Sequence, residues 1–189
     1  GKHGGTLFRT EDVRQRVLEF FQRSLMKNWN QGSGPNARFR VTQASGPWRW
    51  SVVRDEAIRW KMTLPGTGQS TVVSWGDRLF FTTMQPVRQD SMVGSDVIAW
   101  CCDAITGKTL WKRDIAAKHP LRLSGCFSDS TAPPAVTDGR FVCFFNASGS
   151  ITCFDLDGDL QWSRELMAVG RSQPTLIQGT VVFIKQTYM

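Results

Sequence analysis

Between Thr10 and Asn28 the apolar positions recur at helical spacing. Val13, Val17, Phe21 and Leu25 lie four apart, and Leu18 and Phe20 widen the stripe. This pattern predicts one amphipathic helix. Thr10 can cap its start, and Glu11 and Asp12 suit the positive end of the helix dipole. Asn28, Asn30 and Gly32 end it, and "QGSGPNA", residues 31–37, reads as a flexible or turn-rich linker.

From about Leu64 the texture changes to short β-rich runs separated by glycine and aspartate turns. "STVVSW" is followed by Gly76-Asp77 and "RLFFTTM". "APPAVT" is followed by Asp138-Gly139 and "RFVCFFN", and "PTLIQ" by Gly179 and "TVVFIKQ". Each predicts strand, tight turn, strand. "SDVIAWCC" and "SITCF" are the next strands, with "KTLWKRDI" and "DLQWSREL" after them. No second long helix is predicted.

These units repeat. Trp60, Trp111 and Trp162 are spaced 51 and 51 residues apart, and each is followed four later by an aliphatic residue, Leu64, Ile115 or Leu166. Gly107 and Gly158 each precede their tryptophan by four, with Asp103 and Asp155 just before them. A period of about 40–50 residues with about four strands is the signature of a propeller blade. One such sheet cannot cover both its faces, so it must stack on neighbours, and the tryptophan is the large anchor for that stacking. The predicted fold class is therefore mainly β: a partial β-propeller of antiparallel four-stranded blades, with one N-terminal amphipathic helix. Residues 1–30 are read as the helix segment. Residues 31–64 are a linker and a strand of a preceding blade, around Trp60. Residues 65–189 are two complete blades, 65–115 and 116–166, and the start of a third. A closed ring takes at least four blades, so the chain is expected to be a piece of a larger protein or to complete its ring with another chain.

The segment "DAITGKTLW" resembles the repeat of the pyrroloquinoline-quinone-like propellers, roughly Ala-x-Asp-x-x-Thr-Gly-x-x-x-Trp. Asp103, Thr106, Gly107 and Trp111 stand at the matching positions, and Cys101 at the alanine. The second copy, Asp155, Gly158 and Trp162, is one residue shorter, lacks the threonine and has Cys153 at the alanine. "NQGSGPNARFRV" and "LPGTGQSTVVSWGDRLFFTT" are similar to the entry of such propellers, so the resemblance covers about residues 29–189. It implies that each tryptophan makes a docking contact between blades. A weaker resemblance links "HGGTLFRTEDVRQRVLEFFQRSL", residues 3–25, to the tail of α/β-hydrolase esterases. His3 would stand at their catalytic histidine. The chain has no G-x-S-x-G nucleophile elbow, and a lone histidine has no triad.

Composition changes the picture little. A formal net charge of +7 could favour anionic partners, with salt-dependent binding. The basic residues are scattered, and no nucleic-acid module is present, so nucleic acid is not an expected partner. No apolar run approaches the roughly eighteen residues of a membrane span. Five cysteines and two histidines make no metal-ligand spacing. Cys101 and Cys102 are adjacent in a strand and so point to opposite faces, which reads as buried thiols rather than a disulfide. "DLDGD", residues 155–159, resembles the start of a calcium loop, but its bidentate glutamate falls at no proper offset, and a turn explains it better. "NAS", residues 146–148, fits a glycosylation acceptor but reads first as a hairpin turn.

No catalytic residue and no metal ligand is predicted. The resemblance includes cell-envelope assembly lipoproteins that carry this repeat without a quinone. The leading expectation is a non-catalytic scaffold in the periplasm or cell envelope, without a cofactor. Its partner would be a protein or the remaining blades of a parent propeller. The alternative is a piece of a quinoprotein dehydrogenase oxidising alcohols or sugars, which would bring pyrroloquinoline quinone and calcium.

Overall fold

The computed structural model of the chain describes residues 28–40, 49–85, 96–119, 129–166 and 172–184. The predicted N-terminal helix and His3 lie outside these residues.

Two four-stranded antiparallel sheets and one hairpin follow each other along the chain. The first sheet joins β1 (Val73–Trp75), β2 (Arg78–Met84), β3 (Val97–Asp103) and β4 (Thr109–Ile115), in that order. The second joins β5 (Val136–Thr137), β6 (Phe141–Asn146), β7 (Ser150–Asp155) and β8 (Leu160–Glu165), again in order. A hairpin of β9 (Thr175–Ile177) and β10 (Thr180–Val182) comes next. These strands are the β-rich runs of the sequence, with turns at the residues that permit them. Mainly antiparallel four-stranded blades in succession are the propeller arrangement that the 51-residue spacing predicts.

The sheets stack because alternate side chains leave alternate faces. Phe80, Val97, Ala99, Cys101, Trp111 and Ile115 leave one face of the first sheet, and Val142, Phe144 and Phe154 one face of the second. Together they form a single core cluster. Its rings pack at an angle: Trp111 lies 6.0 Å from Phe144 and 5.8 Å from Phe154, centroid to centroid. The opposite face of the second sheet carries Cys143, Phe145, Ile151 and Cys153, against Leu176, Val181 and Phe183 of the third unit. β6 is thus buried on both faces, as the run "FVCFF" requires.

β1 lies beside β5, and β5 beside β9, so the first strands of successive units converge. Residues 28–34 run across this convergence. Asn28 Oδ1 accepts a bond from Gly76 N–H, Trp29 bridges to Ser74, and Asn30 C=O accepts from Thr137 N–H. Gln31, 1% exposed, accepts from Leu176 N–H through Oε1 and donates from Nε2 to Gly34 C=O. Of the expected flexible or turn-rich linker, residues 31–37, the structure shows the turn-rich form, with turns at 32–33 and a short 3-10 turn at Pro35–Ala37, while residues 28–31 tie three units together. The reason is that β1, β5 and β9 each carry an open edge, whose polar groups need partners.

A second difference concerns Trp60. A strand was expected there, but residues 58–64 form none. The Trp60 ring is used instead to reach the turn after β3, where its Nε1–H donates to Ala104 C=O.

Candidate docking interface

The turn between β3 and β4 is built by one aspartate. Asp103 Oδ1 accepts bonds from Ile105 N–H at 3.0 Å, Thr106 N–H at 2.6 Å and the Thr106 hydroxyl at 2.7 Å. The Thr106 hydroxyl, then its backbone N–H, holds the Asp103 carboxyl below its ordinary value. Gly107 closes the turn with N–H on Asp103 C=O and has φ 74°. The shorter turn between β7 and β8 does the same with different partners. Asp155 Oδ1 accepts from Asp157 and Asp159 N–H, and Gly158 N–H bonds Asp155 C=O with φ 88°. Missing its threonine, it recruits Gln161, whose Nε2 donates to Asp155 Oδ2.

Each turn receives a tryptophan from the unit before it. Trp60 Nε1–H donates to Ala104 C=O at 3.1 Å, and its ring covers Gly107, where a Cβ would lie 2.5 Å from Cδ2. Trp111 Nε1–H donates to Leu156 C=O at 2.9 Å, and its ring covers Gly158, where a Cβ would lie 2.8 Å from Cδ2. The two contacts span 44 and 45 residues, so one rule serves both. The ring needs a flat, side-chain-free seat, and its N–H needs a turn carbonyl left unpaired by the strands. An aspartate-braced turn with glycine at its exit supplies both. Truncating a buried tryptophan typically costs about 3–5 kcal/mol.

The third tryptophan sits differently. Trp162 is 39% exposed, against 8% for Trp111, and all six residues of β8 are exposed. No described turn seats its ring.

Two arginines brace the contact between the first and second sheets. Arg78 donates through Nη1 to Leu156 C=O and through Nη2 to Asp157 Oδ1. Arg113 Nε–H donates to Gly158 C=O at 2.8 Å, with its guanidinium 5.8 Å from the Trp111 ring centroid. These arginines, the carbonyls of Ala104 and Leu156, and the tie at Trp29 to Gln31 were not identifiable from the sequence. The tryptophans, the turn glycines and the turn residues Asp103, Thr106 and Asp155 carried a signal, through their spacing and motif.

The remaining chemistry-bearing residues are structural in their surroundings. Cys101 packs among the core between the sheets, while Cys102 faces the other way, its Sγ 4.0 Å from Met62 Sδ. Both are free thiols, and burial pushes Cys101 up to about 12. Asn146 of the NAS triplet is fully buried in the β6–β7 turn, where its Oδ1 accepts from Ser148 N–H. Among the described residues no group of three or more His, Cys, Asp or Glu is placed to hold a metal. No helix among them is long and apolar enough to cross a membrane.

A family model described as "Outer membrane protein assembly factor BamB" matches residues 14–188. The chain belongs to this family. Its repeat is the pyrroloquinoline-quinone-like one that the Asp103–Trp111 segment resembles. Among solved structures, the chain is similar to BamB from Moraxella catarrhalis, at 15% identity and a TM-score of 0.33. That match covers 63% of this chain and 43% of the other, so the chain spans less than half of that protein. No curated protein sequence matches the chain.

Proposed function

We propose that the chain is a non-catalytic scaffold whose stacked blades dock protein, and that it works in assembly at the periplasmic or cell-envelope side of a bacterial membrane. In this reading residues 65–189 are the blade region and residues 31–64 lead into it from the segment 1–30. The observation that carries it is the unseated Trp162. The same residue at the same repeat position is covered in the first sheet and open in the second, along with all of β8. An exposed indole on the outermost strand of the second sheet is a ready seat for another protein surface. Its occupant is the turn of a further blade or a partner that imitates one. The family's description, an assembly factor, supports the same reading.

The reading needs neither quinone nor calcium. The test is hydroxyl-radical footprinting of tryptophan in the isolated chain and in the native envelope complex. Trp162 should be protected only in the complex, and Trp111 in both. Equal reactivity of Trp162 in the two samples would sink the proposal. So would alcohol or sugar oxidation appearing when pyrroloquinoline quinone and calcium are added to the native protein.

A further inference from the structure

The second sheet departs from the repeat at one pair of positions. In the first sheet, Phe80 on β2 stands opposite Cys101 on β3. At the equivalent place in the second sheet both positions are cysteine, Cys143 on β6 opposite Cys153 on β7. Directly opposed residues of an antiparallel pair are about 4.5 or 5.5 Å apart at Cα. A disulfide spans Cα separations of about 4.4–6.8 Å. Both alternatives lie inside that range, so the strands need not move for the sulfurs to bond. Opposed side chains also leave the same face, and both cysteines belong to one cluster with Val136, Phe145 and Ile151. The adjacent pair Cys101 and Cys102 has the reverse geometry, one thiol to each face.

We propose that Cys143 and Cys153 are a disulfide-forming site, oxidised by a small-molecule or protein disulfide to a bond that staples β6 to β7. The Cys143 thiolate attacks one sulfur of the oxidant, forming a mixed disulfide and releasing one thiolate. The Cys153 thiolate then attacks the Cys143 sulfur and releases the second. Two protein thiols and one external disulfide become one protein disulfide and two external thiols. Two electrons pass from the protein to the oxidant, with the two thiol protons going to the released thiolates. The balance is the same with Cys153 as the first attacker.

Burial dictates when the reaction happens. Leu176, Val181 and Phe183 of the third unit pack against the cluster that holds the pair. Hydrogen bonding with Cys153, then burial, holds the Cys143 thiol well above its ordinary range, which leaves little thiolate once the unit has docked. The bond therefore forms during folding, before the β9–β10 hairpin closes over β6 and β7.

The sequence makes the measurement direct. No Lys or Arg lies between Arg140 and Arg164, so trypsin leaves both cysteines in peptide 141–164. Cys101 and Cys102 fall in peptide 89–108, and Cys126 in 123–140. The chain is refolded in a buffer of reduced and oxidised glutathione, quenched with acid, alkylated, digested and weighed. Peptide 141–164 should be lighter by two hydrogens and unlabelled, and should take two labels after reduction. Peptide 89–108 should carry two labels throughout. Native chain in the same buffer should oxidise at least about tenfold more slowly, since thiolate supply limits exchange. Cys153→Ala should leave one labelled thiol on the peptide. The proposal falls if peptide 141–164 carries two labels after oxidative refolding, or emerges joined to 123–140. Equal oxidation rates for native and refolding chain overturn the timing. The wild-type result decides even where the variant does not fold.

Discussion

If the tryptophan ring rests on the turn glycine, a methyl group placed there must push it off, and the effect can be separated from backbone strain. Gly76, Gly107 and Gly158 all have positive φ, 58°, 74° and 88°. Alanine at any of them pays the left-handed backbone penalty, about 1–2 kcal/mol. At Gly76 a Cβ meets nothing within 4 Å, so Gly76→Ala should cost only that. At Gly158 a Cβ meets the Trp111 ring at 2.8 Å, which ordinary contacts do not tolerate. The ring cannot yield, because it is wedged between Phe80, Phe144 and Phe154 and holds Leu156 C=O. Overpacking of this kind costs about 1–3 kcal/mol. Gly158→Ala should thus lose about 2–5 kcal/mol in all. The assay is urea unfolding followed by far-ultraviolet circular dichroism, which does not depend on tryptophan emission. The decisive arm is the double variant with Trp111→Ala. Removing the ring removes the clash, so the two changes should couple by about 1–3 kcal/mol. The docking account is refuted if Gly158→Ala costs no more than Gly76→Ala, or if its extra cost survives in the Trp111→Ala background.

Three further outcomes are expected. Trp111→Ala should cost about 3–5 kcal/mol by urea unfolding, and Trp162→Ala clearly less in the isolated chain, because its ring has no seat there; equal losses would contradict the difference in cover. The depressed Asp103 carboxyl favours the folded state most above its unfolded value near 3.8, and that contribution fades as pH falls toward the lower folded value. Asp103→Asn should therefore flatten the decline of the urea midpoint at acid pH, and an unchanged acid slope would refute this. Cys101, pushed up to about 12 by burial, should react with iodoacetamide at pH about 8 far more slowly in the native chain than in urea, and matched rates would refute the burial.

Much of the architecture is local in origin. The β-rich runs Arg78 to Met84 and Phe141 to Asn146, and the turns at Gly76, Gly139 and Gly179, follow from strand propensity and positive-φ tolerance, which neighbours in the chain settle among themselves. The tryptophan spacing betrayed the repeat, because equivalent positions in stacked sheets need the same anchor. Tertiary structure alone decided what each ring would meet. Trp60 finds Ala104 and Trp111 finds Leu156 across more than forty residues, and a carbonyl acceptor carries no side-chain signature. The same holds for residues 28–34. Asn28 and Asn30 read as a helix end and residues 31–37 as a flexible or turn-rich linker, and only the open edges of three separate units make residues 28–31 a tie. The expected strand at Trp60 is absent, and what its ring does instead, docking on the Ala104–Gly107 turn, depends on residues more than forty positions away. Local chemistry sets the elements, while register, edge supply and cover are properties of residues far apart in the chain, and they decide which indole is seated and which is left open.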